Sequence, residues 1–126
     1  METTIRKWAA HLLGIFFIVA GINHFVMPSF YYPLIPDYLP FPLLINFISG
    51  LLEIVFGVGI LIKKVRALAA KGIFILLILF IPSHVHFIVI GSCVEGGLCV
   101  HPVIGWIRLV IVHPLLMVWA WKAREI

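Results

Sequence analysis

Residues 47–62 read FISGLLEIVFGVGILI, an apolar run with a single ionisable residue, Glu53. The run is hydrophobic enough to lie in a lipid bilayer. A carboxylate costs roughly 2.5–3.5 kcal/mol at the centre of a membrane helix on insertion scales. Glu53 therefore needs a partner, a proton or a polar cavity, and this requirement guides the search through the rest of the chain.

The composition is that of an integral membrane protein. Of the 126 residues, 63% are hydrophobic and only 11% are charged, whereas soluble domains carry about 25% charged residues. The net charge of +4 does not indicate a nucleic-acid partner, because the basic residues cluster where membrane topology places them. Two cysteines are too few for a disulfide-rich scaffold.

Four apolar stretches are long enough to cross a bilayer, which takes about 20 residues in a helix. We expect one all-α domain over residues 1–126, a bundle of four transmembrane helices. The stretches cover residues 8–27, 43–62, 66–90 and 103–121.

The basic residues predict the orientation of the bundle. Cytoplasmic segments are enriched in Lys and Arg, and the links at 28–42 and 91–102 contain neither. Both termini and the link between the second and third spans are therefore expected to be cytoplasmic. The basic residues that support this topology are Arg6, Lys7, Lys63, Lys64, Arg66, Lys71, Lys122 and Arg124.

The link at 28–42 is rich in proline and holds all three tyrosines of the chain. Proline resists helix formation, and tyrosine suits the headgroup region of the membrane. The link is therefore either an interfacial aromatic belt or a lid over a pocket.

Most polar residues of the spans fall in the outer half of the bundle, with Glu53 and His113 deepest. This distribution predicts an outward-facing polar pocket, with Arg108 setting the charge of Glu53. The alternative is that these residues only bond the helices together. The expected ligand-binding residues are His24, Glu53, His84, His86, Arg108 and His113.

His84 and His86 also suggest a metal site, since imidazole binds zinc, copper and iron. Residues two apart on a helix point about 200° apart, so the two rings share a face only if Pro82 distorts the turn. The metal hypothesis is therefore secondary to the pocket.

Cys93 and Cys99 lie in the link at 91–102, on the oxidising side of the predicted topology. Gly96 and Gly97 between them would allow a closed loop. A structural disulfide is one interpretation. A redox-active pair is the other, although the spacing is not C-x-x-C.

Three motifs resemble the DoxX-like family of small four-span bacterial membrane proteins. They are Gly21-Ile-Asn-His24-Phe25, Pro36-x-x-Leu39-Pro40 and Ser49-Gly50-x-x-Glu53-x-x-x-Gly57. The resemblance covers about the first 90 residues, and the fourth span matches only in hydrophobicity. The chain departs from the family pattern after Pro82 and in the cysteine loop.

The resemblance implies a four-helix bundle in the bacterial inner membrane, with His24 and Glu53 as the family-like polar positions. It also implies an association with quinone-linked oxidoreduction or with the assembly of membrane complexes. We therefore expect a binding or accessory subunit for membrane redox chemistry, with a quinone or another small amphipathic molecule as ligand. A membrane oxidoreductase or a second copy of the chain is the expected protein partner.

Two other functions stay open at this stage. The first is a non-catalytic assembly protein whose polar residues hold the helices together. The second is thiol–disulfide exchange at Cys93 and Cys99. We do not expect the chain to be an enzyme on its own, and the residues identify no catalytic group.

Overall fold

The computed structural model describes residues 2–126, with side chains from residue 3 onward. The described chain is all-α, and four of its helical segments are long and apolar enough to span a membrane. This confirms the predicted all-α fold with four apolar segments, whose limits are close to those expected. The segments are Thr3–Val26, Pro42–Leu61, Arg66–Val89 and Pro102–Ala123.

The helices in chain order are α1 (Glu2–Val26), α2 (Pro28–Tyr31), α3 (Pro42–Leu61), α4 (Arg66–Val89), α5 (Pro102–Ile107) and α6 (His113–Ala123). A 3₁₀ turn at Tyr32–Leu34 follows α2. A π-helical turn at Arg108–Val112 joins α5 to α6 into one continuous span.

Two glycine pairs bring α1 and α3 into close antiparallel contact. A Cβ added to Gly14 would lie 2.8 Å from the Gly57 carbonyl oxygen, and one added to Gly21 would lie 2.6 Å from the Gly50 carbonyl oxygen. The glycines are seven residues apart on both helices, so the same face meets the partner at each pair. Small residues allow this close approach between membrane helices, and it fixes the register of α1 against α3.

The apolar core occupies the end of the bundle that carries both termini and the link between α3 and α4. Its residues come from the first half of α1, the end of α3, the first half of α4 and the end of α6. They are Ala10, Leu13, Phe17, Ile60, Ala69, Ala70, Ile73, Leu77, Ala120 and Ala123. This end is closely packed, and Arg66 is the one buried charged side chain that the described residues place within it.

Two side chains tie this packed end together through backbone carbonyls. Arg66 is only 5% exposed, and its Nε donates to the Ile60 carbonyl at 2.6 Å. A cation at this point stabilises the carboxyl-terminal end of α3. Trp119 Nε1 donates to the Ala9 carbonyl at 3.1 Å, which joins α6 to α1.

The proline-rich link folds over the opposite end of the bundle. Leu34 is buried, and its carbonyl accepts a 2.8 Å hydrogen bond from Ser83 Oγ on α4. Phe41 adopts a left-handed backbone (φ 55°) just before α3, which turns the chain back into the bundle. The link is therefore held against the helices by side-chain and backbone contacts.

The loop after α4 is closed by a disulfide between Cys93 and Cys99. Gly91 and Gly96 both have positive φ, a conformation that glycine adopts without steric cost. Both cysteines are exposed, whereas Ser92 beside them is buried.

Candidate functional site

A cavity of about 560 Å³ lies under the proline-rich link and reaches down to Phe17 and Leu77 of the apolar core. Ligand pockets in proteins commonly measure about 300–1,000 Å³. All four spans and the link contribute to its wall, which is mainly apolar. Its polar lining residues are His24, Tyr31, Asn46, Ser49, Glu53, Ser83, His84, Arg108 and His113.

Three buried polar residues form one wall. His24 on α1 stands between Asn46 and Glu53, which are seven residues apart on the same face of α3. His24 Nδ1 lies 2.7 Å from Asn46 Oδ1, and His24 Nε2 lies 3.1 Å from Glu53 Oε2. Asn46 also donates from Nδ2 to the His24 carbonyl at 3.0 Å. The exposed fractions are 8% for His24, 4% for Asn46 and 5% for Glu53.

These contacts fix one proton of His24, the one on Nδ1. Asn46 Nδ2 must donate to the His24 carbonyl, so Asn46 Oδ1 is the acceptor that faces the ring. His24 Nδ1 therefore carries a hydrogen. Nε2 then faces the Glu53 carboxyl group, and two unprotonated acceptors at 3.1 Å would repel each other. The pair must hold one further proton, on Nε2 or on the carboxyl group.

The His24–Glu53 pair has no net charge with the proton in either position. A neutral imidazole beside a carboxylic acid sums to zero, and so does an imidazolium beside a carboxylate. The cost of placing Glu53 in the apolar run is thereby much reduced, because the bilayer encloses a neutral unit. The contact is bent, however, and leaves Glu53 Oε2 without a well-aligned hydrogen-bond partner among residues 3–126.

Tyr31 from the link covers this wall. Its ring stacks on the His24 ring with centroids 3.8 Å apart and an interplanar angle of 16°. Its hydroxyl accepts a 2.7 Å hydrogen bond from Asn23 Nδ2. The link thus supplies a fixed aromatic group to the site, as a lid would.

Arg108 and His113 both line the cavity because the helix between them is π-helical. On an α-helix, residues five apart point roughly 140° apart. The His113 amide instead donates to the Arg108 carbonyl, an i→i+5 bond that brings the two side chains close to one line. Pro114 favours this wider turn, because its ring would clash with the carbonyl four residues earlier in an α-helix.

His113 and His84 lie together on this side of the cavity, with ring centroids 4.6 Å apart. His113 is buried, and its Nε2 donates to the Leu77 carbonyl at 2.6 Å. His84 makes no side-chain hydrogen bond to any residue that the structure describes, so its ring remains available to the cavity.

Arg108 is half-buried and has no acidic counter-ion among residues 3–126. Its guanidinium carbon lies 5.0 Å from the centre of the buried Phe87 ring. Its Nη1 is buried and has no hydrogen-bond partner within residues 3–126. A cation–π contact contributes about 0.5–2 kcal/mol. It leaves the hydrogen-bonding capacity of Nη1 unsatisfied.

Five of the six predicted ligand-binding residues meet in the cavity, and His86 does not. The helix α4 continues through Pro82, so Pro82 does not bring the two histidines onto one face. His84 faces the cavity and His86 points away from it. His86 is therefore not part of the cavity wall, contrary to the prediction.

The partner of Glu53 also differs from one expectation. Arg108 makes no ion pair with an acidic side chain among residues 3–126, and Glu53 pairs with His24. Arg108 therefore does not set the charge of Glu53. No group of three or more His, Cys, Asp or Glu side chains that could hold a metal occurs in the described part of the chain. His84 and His86 have no third ligand there.

Sequence reasoning missed Asn46 and the stacking role of Tyr31. Asn46 lies seven residues before Glu53, two helical turns away on the same face, and this spacing was a usable signal. Tyr31 gave no comparable signal, because its position over His24 depends on how the link folds.

Comparison with known proteins gives a family without an assigned activity. A family model described as "Domain of unknown function (DUF8561)" matches residues 13–124, nearly the whole chain. No curated protein matches the chain, and no solved structure does.

Proposed function

This chain belongs to the DUF8561 family, and we propose a function for it from the half-open cavity that its spans and link line. The chain is a membrane subunit that binds a small amphipathic molecule between its helices. The resemblance to DoxX-like proteins favours a quinone-like ligand and an accessory role in membrane redox chemistry. A membrane oxidoreductase, or a second copy of the chain, is the corresponding partner.

One observation carries this proposal. Arg108 Nη1 is buried, belongs to a residue that lines the cavity, and has no hydrogen-bond partner in residues 3–126. Glu53 Oε2, also on the cavity wall, has only the bent contact with His24. Residues that only bond helices together would be expected to satisfy each other, because an unpaired buried polar group is costly. A ligand with a polar head and an apolar body would satisfy these atoms and fill the apolar remainder.

The proposed topology places both termini and the link between α3 and α4 in the cytoplasm of a bacterium, with the chain in the inner membrane. The distribution of Lys and Arg supports it. The cavity, the proline-rich link and the disulfide loop then face the outer side, where a disulfide persists.

The test is binding of decylubiquinone to the purified protein in a neutral detergent. Glu53→Gln should weaken binding at least fivefold, because an amide can neither hold the shared proton nor pair with an imidazolium. Glu95→Gln is the matched control, since Glu95 is exposed in the disulfide loop and its replacement should change nothing. Equal affinities in wild type and Glu53→Gln would remove Glu53 from the binding site.

An assembly role is the second candidate, and the His24–Asn46–Glu53 network favours it because this network joins α1 to α3. It predicts that Glu53→Gln lowers the melting temperature while no co-purified small molecule is found by native mass spectrometry. Thiol exchange is the third candidate, since Cys93 and Cys99 are exposed. It requires loss of function in a protein with both cysteines replaced by serine.

A further inference from the structure

Arg108 is the one cation of the cavity wall whose charge is not balanced there. The chain has five acidic residues, Glu2, Asp37, Glu53, Glu95 and Glu125. Of the four in residues 3–126, only Glu53 lines the cavity, and its charge is matched within the pair that it forms with His24. The cavity therefore combines a neutral pair on one wall with an unmatched guanidinium on the other.

The position of Arg108 is set from two sides. The π-helical turn directs residue 108 to the cavity side, and the guanidinium lies over the buried Phe87 ring. Arg108 as a whole is half-buried. Its Nη1 is buried and has no hydrogen-bond partner among residues 3–126, which leaves a charged hydrogen-bond donor beside the cavity.

The groups around Arg108 suit an anionic head. A guanidinium presents its donors in a planar fork that matches carboxylate and phosphate oxygens. His84, with no side-chain hydrogen bond to a described residue, can add a neutral N–H donor. The remaining wall is apolar and includes Phe16, Leu76, Leu79, Phe80, Val112 and Leu116. A ligand with an anionic head and a hydrocarbon body would match the polar groups around Arg108 and the apolar wall.

We propose that the natural ligand is an amphipathic anion, a molecule with a carboxylate or phosphate head that pairs with Arg108 and an apolar tail that fills the cavity. This inference rests on the proposed ligand pocket and narrows its ligand to one that carries a negative charge. The His24–Glu53 pair then lies beside the ligand as a neutral hydrogen-bonding group and does not repel it.

The experiment compares probes that share a twelve-carbon tail and differ in the head. Binding of dodecanoate, dodecyl phosphate and dodecanol to the protein is measured by native mass spectrometry from a neutral detergent. At least one anionic probe should bind ten or more times tighter than dodecanol. The ratio of dodecanoate to dodecyl phosphate identifies the head, and inorganic phosphate, which has no tail, should bind at least tenfold more weakly than dodecyl phosphate.

Variants assign the preference to Arg108. Arg108→Gln should abolish the advantage of the anionic probes and leave dodecanol binding within twofold, whereas Arg108→Lys should retain part of it. Lys63→Gln removes an equal charge from the exposed link between α3 and α4 and should have no effect. If Arg108→Gln does not fold, the wild-type comparison of charged and neutral heads still decides.

The outcomes separate this inference from the proposed function. Equal binding of dodecanol and the anionic probes, or an unchanged preference in folded Arg108→Gln, would overturn the anionic ligand. If decylubiquinone binds while the anionic probes show no advantage, the anionic ligand is ruled out but the proposed ligand pocket is retained. Absence of binding by every probe, neutral or charged, would overturn both. Inorganic phosphate binding as tightly as dodecyl phosphate would show that the tail is not recognised and would also overturn the inference.

Discussion

At the scale of single residues, Asn46 determines how His24 and Glu53 share a proton. Its amide donates to the backbone carbonyl of His24 and accepts from the His24 ring. These two bonds hold Nδ1 towards Asn46 and Nε2 towards Glu53. An asparagine is suited to this, because it carries a donor and an acceptor on one planar group. The chemistry of the pair therefore depends on a residue that carries no charge.

Replacing Asn46 with leucine should destabilise the protein more than the equivalent change at Asn23. Asn46→Leu leaves a buried ring N–H without an acceptor, which costs about 1–3 kcal/mol. Asn23→Leu removes one half-buried bond to Tyr31, worth about 0.5–1.5 kcal/mol. Thermal unfolding in detergent measures both, and an equal loss in the two variants would contradict the role assigned to Asn46.

The sequence was sufficient to identify Glu53 as the central residue of the site. It was not sufficient to identify the residue that pairs with Glu53. A carboxylate in an apolar run must be compensated, and the candidates could be named from composition. Choosing between His24 and Arg108 required the register of α1 against α3 and the π-helical turn before His113. Neither follows from hydropathy, because both depend on contacts between segments.

At the scale of helices, the glycines of α1 and α3 place the site. Gly21 meets Gly50 about one turn from His24 and Glu53. The distance between α1 and α3 at the His24–Glu53 pair is therefore set by residues that have no side chain. Any side chain at these positions would move α1 away from α3 and lengthen the 3.1 Å contact of the pair. Packing and chemistry are therefore coupled along this interface.

Gly50→Ala should destabilise the bundle although alanine favours helices. The added Cβ would lie 2.7 Å from His24 Cβ and 3.0 Å from the Gly21 carbonyl oxygen. Overpacking costs about 1–3 kcal/mol, which exceeds the gain in helix propensity of roughly 1 kcal/mol over most of that range. A lower melting temperature and weaker ligand binding are expected together.

Ala67→Val provides the control for this change, because it adds two carbons to an exposed position on α4. It should leave the melting temperature and ligand binding close to wild type. A Gly50→Ala protein that melts at or above the wild-type temperature would show that α1 and α3 can separate without loss.

At the scale of the whole molecule, the division into a packed end and a cavity end follows from where polar residues occur along each span. The first half of α4 is apolar apart from Arg66 and Lys71, and its second half holds Ser83, His84 and His86. The sequence therefore predicted the spans, the bundle and the polar half. The cavity itself needed the fold of the proline-rich link, whose prolines restrict the backbone but do not determine its path.

Labelling with a membrane-impermeant maleimide checks the orientation of the whole bundle. In a background with Cys93 and Cys99 replaced by serine, a single cysteine is placed in each exposed link. Glu95→Cys should react in intact cells, and Lys63→Cys should react only after lysis. The reverse pattern would invert the proposed topology.

The short distance within the neutral His24–Glu53 pair determines how strongly the membrane potential can act on the shared proton. A transmembrane potential acts on one elementary charge with about 2.3 kcal/mol per 100 mV over the full membrane. The two atoms that share the proton are 3.1 Å apart, roughly a tenth of a hydrocarbon layer about 30 Å thick. A potential of 100 mV would therefore bias the proton by at most about 0.2 kcal/mol. The position of this proton is set almost entirely by the cavity beside it, and hardly by the energised state of the membrane.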